Sequence, residues 1–221
     1  MGGRRYYDRH VAGREHKLTR RGALAASLAG GAAAVIAACG GGDDPDPTTA
    51  AGAGGAKLDP TPACGDRGAT PEQTEGPFFI PDSPRRTSLL EPGVAGTALL
   101  LRGRVLDTGC RPIPGALVDF WQADAEGVYD NSGFRLRGHQ FANADGAYEL
   151  RTIVPGVYPG RTRHIHVKAQ PRGGSVLTTQ LYFPDEPANG SDAIFDPLLL
   201  VDLTEEGGEK RARFDFVLQR A

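Results

Sequence analysis

Arg161-Thr162-Arg163-His164-Ile165-His166-Val167 is the stretch on which the fold turns. It reads as a β-strand, in which alternate residues point to one face, so His164 and His166 project to the same side and Ile165 to the other. Two imidazoles side by side make half of a metal site. Around this strand the chain is rich in turn-formers, with 31 Gly and 17 Pro among 221 residues, and its Val, Thr and Phe segments are short. Such a composition favours a turn-rich β protein over a helical one.

Working outward, Pro155-Gly156-Val157-Tyr158-Pro159-Gly160 is a rigid loop leading into the His strand, and residues 147–153 form a strand before it. Ala144-Asp145-Gly146 is a hairpin turn signal. Residues 97–107 alternate apolar and polar through Leu99, Leu101, Gly103 and Val105, as a half-buried strand does. Residues 116–123 form the next strand, with Val118, Phe120 and Gln122 on one face and Asp119, Trp121 and Ala123 on the other. Further strands are expected at 175–183 and 212–218. Gln73 to Phe79 is an extended lead-in, because Gly76-Pro77 precedes two aromatics. Strands at this spacing predict an all-β sandwich, mostly antiparallel, with the metal site between loops and strands. No internal repeat and no long helix is evident. His139 falls in a Gly-flanked loop and is expected to face solvent; Trp121 is expected in the core.

The formal net charge is −2, and no basic groove motif occurs, which argues against nucleic acid as a partner. Residues 1–38 read as an export signal: Thr19-Arg20-Arg21-Gly22 precedes an uncharged run of small and apolar residues, 25–38. The arginine pair suggests the twin-arginine type, which carries folded proteins. The run is rich in Ala and Gly and short for a spanning helix. Ile36-Ala37-Ala38-Cys39 resembles a bacterial lipobox, implying lipidation of Cys39 and an exported, membrane-anchored lipoprotein whose only membrane contact is its lipid. Residues 39–58 read as a flexible polar tether, and 59–221 as the folded domain. Cys64 and Cys110 then remain as an even pair in turn-like contexts, and in an exported protein they suggest a disulfide; two free thiols are the alternative.

The other half of the metal site is sought among loop residues. Carboxylates lie mostly in solvated turns. Tyr148 and Tyr182 fall inside strand patterns, whereas Tyr129 and Tyr158 fall in Gly-bearing loops. A strongly Lewis-acidic ion can hold a phenol as phenolate, and anionic oxygens with imidazoles suit ferric iron.

Thr74-Glu75-Gly76-Pro77-Phe78, Val118-Asp119-Phe120-Trp121-Gln122-Ala123-Asp124, Gly127-Val128-Tyr129, Arg151 through Tyr158, and His164-Ile165-His166 occur in the order seen in intradiol ring-cleavage dioxygenases. The chain resembles that family from about Thr74 to Phe183. The resemblance implies non-haem Fe(III) held by Tyr129, Tyr158, His164 and His166, with Tyr158 displaced by substrate and Tyr129 retained. It implies insertion of O2 between the hydroxyl-bearing carbons of a catechol-type diol, giving a muconate-type product. Arg161 matches the arginine that stabilises charge on the substrate, and Gln180 matches a glutamine near the iron. Pro77 and Phe78 are candidates for the substrate pocket.

Two departures mark this chain. Only residues 159–163 separate Tyr158 from the His pair, fewer than is usual in the family. The usual Arg-Pro-Ala-His-x-His is here Arg161-Thr162-Arg163-His164-Ile165-His166, so either Arg161 or Arg163 could take the arginine's role. The alternative function is a non-catalytic binding module: Gly103 to Asp107, Pro114 to Ala116 and Ala144 to Tyr148 also resemble transthyretin-like and carboxypeptidase-regulatory sandwiches. That reading gives no reason for the four candidate ligands to stand together.

Overall fold

The computed structural model describes residues 3–12, 64 and 68–219. Its strands are β1 (Ala98–Asp107), β2 (Leu117–Trp121), β3 (Arg137–Phe141), β4 (Ala147–Ile153), β5 (His164–Gln170), β6 (Leu177–Tyr182), β7 (Asp202–Glu206), β8 (Glu209–Arg213) and β9 (Phe216–Leu218). One sheet runs β4-β1-β8-β7, with β9 also paired to β1, and the other runs β3-β2-β5-β6. The all-β sandwich is the observed architecture. Apolar side chains of the inner faces, among them Leu99, Leu101, Val118, Phe120, Leu150, Ile165, Val167 and Leu181, interdigitate as one buried cluster.

Three local expectations are corrected. His139 is not in a loop but on β3, 6% exposed, because Arg137–Phe141 pairs along β2 from Leu117 to Trp121. The segment 212–218 is two strands, β8 and β9, both parallel to β1. The chain steps away between them: Phe214 N–H bonds Arg102 O, and Asp215 Oδ1 accepts the Arg104 N–H that a continuous ladder would have used. Gly103 permits the close crossing, since a Cβ there would lie 1.7 Å from Phe214 O. Finally, the Ala144-Asp145-Gly146 turn is tight, yet it joins strands of different sheets, with β3 on β2 and β4 on β1.

A helix not anticipated, α1 (Gly3–Ala12), lies within the expected signal. Tyr6 and His10 stand one turn apart with ring centroids at 4.6 Å, and Arg9 and His10 suit its C-terminal end. Cys39 and most of residues 13–67 lie outside the described residues. Cys64 and Cys110 are joined by a disulfide, their Cα atoms 5.5 Å apart. No helix among the described residues is long and apolar enough to cross a membrane.

The outer face of the β3-β2-β5-β6 sheet is polar and yet covered. Register places His139, Asp119 and Lys168 in one transverse row, and Arg137, Trp121, His166 and Gln180 in the next; His164 and Tyr182 begin a third. Residues in register across a sheet share a face. The first row lies under α1. There Asp119, 1% exposed, accepts hydrogen bonds from Tyr6 Oη (2.5 Å) and Ser83 Oγ (2.8 Å). Burial raises its carboxyl pKa, opposed by those hydrogen bonds and by His10 and Lys168. This carboxylate lies on β2, within the strand expected at 116–123, and is buried there.

Candidate metal centre

The second and third rows carry the site. Trp121 stacks on His166 with centroids 4.8 Å apart and planes 7° from parallel. Gly76 brings the lead-in segment over the other side: φ is +70°, and a Cβ there would sit 3.3 Å from His166 Cε1. His164 Nδ1 lies 2.6 Å from Thr162 O, which places its proton on Nδ1 and leaves Nε2 a lone pair. That Nε2 is 3.2 Å from His166 Nε2 and 3.1 Å from Tyr129 Oη.

Two loops bring the phenols. Asp124 caps the first, its Oδ1 accepting the N–H groups of Glu126 (3.0 Å) and Val128 (2.9 Å). Tyr129 follows, 6% exposed, with Phe78 stacked on its ring at 4.4 Å. The second loop leans on the first through Gly156, whose N–H bonds Asp124 O at 2.6 Å. A Cβ at Gly156 would come within 2.3 Å of Gly127 N, and one at Gly127 within 2.3 Å of Val157 O. Glycine at both positions lets the backbones touch, which sets the Tyr158 and Tyr129 rings 5.9 Å apart in an edge arrangement. Tyr158 is half-buried and lies on the solvent side, next to exposed Val157.

Electrostatics prepare this cluster for a cation. Burial pulls the His164 pKa down to about 4, and burial with the neighbouring His164 and Arg161 charges pulls His166 well below the usual imidazole range. Both rings are neutral at physiological pH and present nitrogens to one point. Burial pushes the Tyr129 phenol upward, with Arg161 and Arg137 opposing, so a phenolate there needs a strong positive charge close by. Separations of 3.1–3.2 Å suit atoms sharing one first-row metal ion, whose bonds to nitrogen run about 2.0–2.1 Å. Among the described residues, no three or more His, Cys, Asp or Glu side chains are grouped to hold a metal. The anionic ligands available to the His pair are the phenols.

The two arginines separate. Arg161 donates from Nη2 to Gln180 Oε1 (2.7 Å) and from Nε to Asp192 Oδ2 (2.9 Å), while Gln180 Nε2 donates to Thr74 O (3.0 Å). Arg163 turns away, donating to Glu186 Oε1 (2.6 Å) and to the Pro155 carbonyl of the Tyr158 loop. Of the two pocket candidates, Phe78 packs on both tyrosines, whereas Pro77 is exposed. Sequence reasoning missed Asp192, which also accepts the Thr162 N–H; an aspartate in a polar loop carries no signal of that role. Gly156 could have been suspected from its place two residues before a candidate ligand.

A family model described as Dioxygenase matches residues 74–220, and the chain belongs to the intradiol ring-cleavage dioxygenases. Among curated relatives, the hydroxyquinol 1,2-dioxygenase of Rhizobium sp. (strain MTP-10005) is 31% identical over 175 residues, covering 66% of this chain and 59% of that protein. The protocatechuate 3,4-dioxygenase beta chain of Burkholderia cepacia is 35% identical over 153 residues, covering 56% and 65%. The match thus spans less than two thirds of the length of these enzymes. Among solved structures, the dioxygenase domain of a dioxygenase carbohydrate-binding protein fusion from Streptomyces sp. SirexAA-E is 58% identical, with a TM-score of 0.68, covering 69% of this chain and 99% of that one. The transthyretin-like alternative is not favoured: the relatives are dioxygenases, and a binding module has no use for this cluster.

Proposed function

We propose that this chain is a non-haem ferric dioxygenase that inserts O2 between the hydroxyl-bearing carbons of a catechol-type aromatic, giving a muconate-type diacid. The observation that carries the reading is the convergence of Tyr129 Oη and His166 Nε2 on His164 Nε2, at 3.1 and 3.2 Å. Tyr129, Tyr158, His164 and His166 would hold Fe(III), which supplies a Lewis-acidic template for the diol.

The protein's own residues divide the remaining work. The neutral imidazoles bind without losing a proton, whereas both phenols must lose theirs. Tyr129, with Phe78 stacked on its ring, stays in place. Tyr158, on the solvent side, gives way to substrate, and a phenolate that gives way is basic enough to take a catechol proton on Oη. Arg161, fixed by Asp192 and Gln180, holds positive charge where negative charge builds on the aromatic ring. Phe78 and Trp121 keep water from the buried side of the pocket.

The test is iron analysis followed by oxygen uptake over catechol, protocatechuate and hydroxyquinol. Uptake with at least one of them is expected, lost in both Tyr158→Phe and His166→Ala. Full uptake in both variants contradicts the assignment.

From the composition of residues 1–38 and 39–58 we further propose export and lipid anchoring at Cys39. Labelled fatty acid should enter the wild-type protein and not Cys39→Ser; an unlabelled wild type overturns this address.

A further inference from the structure

Arg137 is among the largest fully buried side chains of the protein, 1% exposed. It opens β3 opposite Trp121, which in turn faces His166 across β2 and β5, so it stands in the same transverse row as the metal-site residues. Among the described residues no carboxylate forms a direct ion pair with its guanidinium, although the Asp130 and Asp119 charges act on it from a distance. It donates instead to two backbone carbonyls: Nη1 to Phe78 O at 2.6 Å, and Nη2 and Nε to Asp130 O at 2.6 and 3.2 Å. Burying a cation that makes no direct ion pair is costly, and an apolar residue of similar volume serves stability as well or better. A buried, unpaired arginine therefore calls for an explanation beyond the fold.

The identity of the two carbonyls supplies it. Phe78 is the ring stacked on Tyr129, and Asp130 is the residue directly after Tyr129. One planar fork grips the backbone of the residue after Tyr129 and that of the residue stacked on its ring, joining segments far apart in sequence. The Asp130 carboxylate completes the grip from the other direction, accepting the N–H groups of Ser132 (2.9 Å), Gly133 (2.9 Å) and Arg135 (3.0 Å). Lysine cannot reproduce this: it is a single point donor, whereas the guanidinium presents donors in a fixed plane.

We propose that Arg137 is a positioning residue for the metal centre: by clamping the Phe78 and Asp130 carbonyls it fixes the Tyr129 phenol relative to the His pair, and with it the aromatic wall that meets the substrate ring. The proposal rests on the ferric reading given above. It predicts that what changes when the fork is lost is the geometry of the tyrosine ligand and the fit of the substrate.

The test compares wild type, Arg137→Lys and Arg137→Met, each loaded with iron below its melting temperature. Readouts are the visible tyrosinate-to-iron band, the iron dissociation constant, and kcat and KM for catechol measured separately. Both variants are expected to show a displaced band and iron binding or KM weakened about 10–100-fold, as for other groups that orient a metal ligand. Should Arg137→Met not fold, Arg137→Lys alone decides. A band, iron affinity and KM equal to wild type in a folded variant, whatever its melting temperature, reduces Arg137 to a structural residue and overturns the proposal. A wild type with no visible band after iron loading would instead sink the ferric reading on which it stands.

Discussion

Arg161 and Arg163 sit two apart just before β5, yet their side chains reach different partners. Arg161 is tied to Gln180 and Asp192, close to the ligand set, whereas Arg163 straps the Tyr158 loop through the Pro155 carbonyl and Glu186. Arg161→Met should therefore lower kcat with catechol about 10²–10³-fold, the usual loss when preorganised charge is removed from a developing anion. Arg163→Met should leave kcat within a few-fold of wild type and act on KM through the loosened loop. Steady-state oxygen uptake of the two variants checks this; equal losses in kcat contradict the division. From sequence the resemblance pointed to Arg161 and left Arg163 open, because the usual Arg-Pro-Ala-His-x-His is replaced here by Arg161-Thr162-Arg163-His164-Ile165-His166. Only the acceptors, Gln180 and Asp192 for one and Glu186 for the other, tell them apart.

At the level of elements, α1 covers one end of the sheet face whose other end carries the candidate ligands His164 and His166. Its Tyr6 Oη is the donor to buried Asp119, and Lys168 Nζ lies 5.2 Å from the Tyr6 ring centroid and 3.8 Å from that of Phe79. A chain beginning at Cys39 should melt at a lower temperature than the full chain, by the equivalent of about 1.5–3 kcal/mol for a lost hydrogen bond to a charged group. Its iron band should be unchanged. Identical melting curves for the two chains contradict the docking of α1. The strands that carry the His pair and Trp121 were legible, because alternation fixes both strand and face. β3 was not: Arg137-Gly138-His139-Gln140-Phe141 has no apolar alternation, since its outward residues, Arg137 and His139, are buried by other segments and not by the sandwich core. The four candidate ligands stood out as a set through the family resemblance. What held them, glycine contacts between loops and carbonyls gripped by arginine, leaves almost no trace in residue type.

For the whole molecule, the sandwich joins a hydrophobic interior to an outer face on the β3-β2-β5-β6 sheet where titratable side chains are buried. His139 is the clearest case on that face. Burial first, and then the charges of His10 and Arg85, bring its pKa down to about 4, against a Ser83 carbonyl that pulls the other way. Asp119 reaches it through Ser83. With the folded value below the ordinary 6.5, the unfolded chain takes up the proton first on acidification. The contribution is fully present above pH 6.5 and is lost as pH falls through about 4. Metal-free full-length protein, with α1 present, should lose stability progressively when melted across that range, and His139→Gln should flatten the slope; a slope unchanged by the substitution contradicts it. The central claim, that two phenols and two imidazoles on this face hold ferric iron, is tested most directly by the visible absorption spectrum of the iron-loaded protein. A broad visible band is expected in the wild type, displaced or lost in Tyr129→Phe and in Tyr158→Phe. A colourless wild-type protein after iron loading, or a band indifferent to both substitutions, would contradict it.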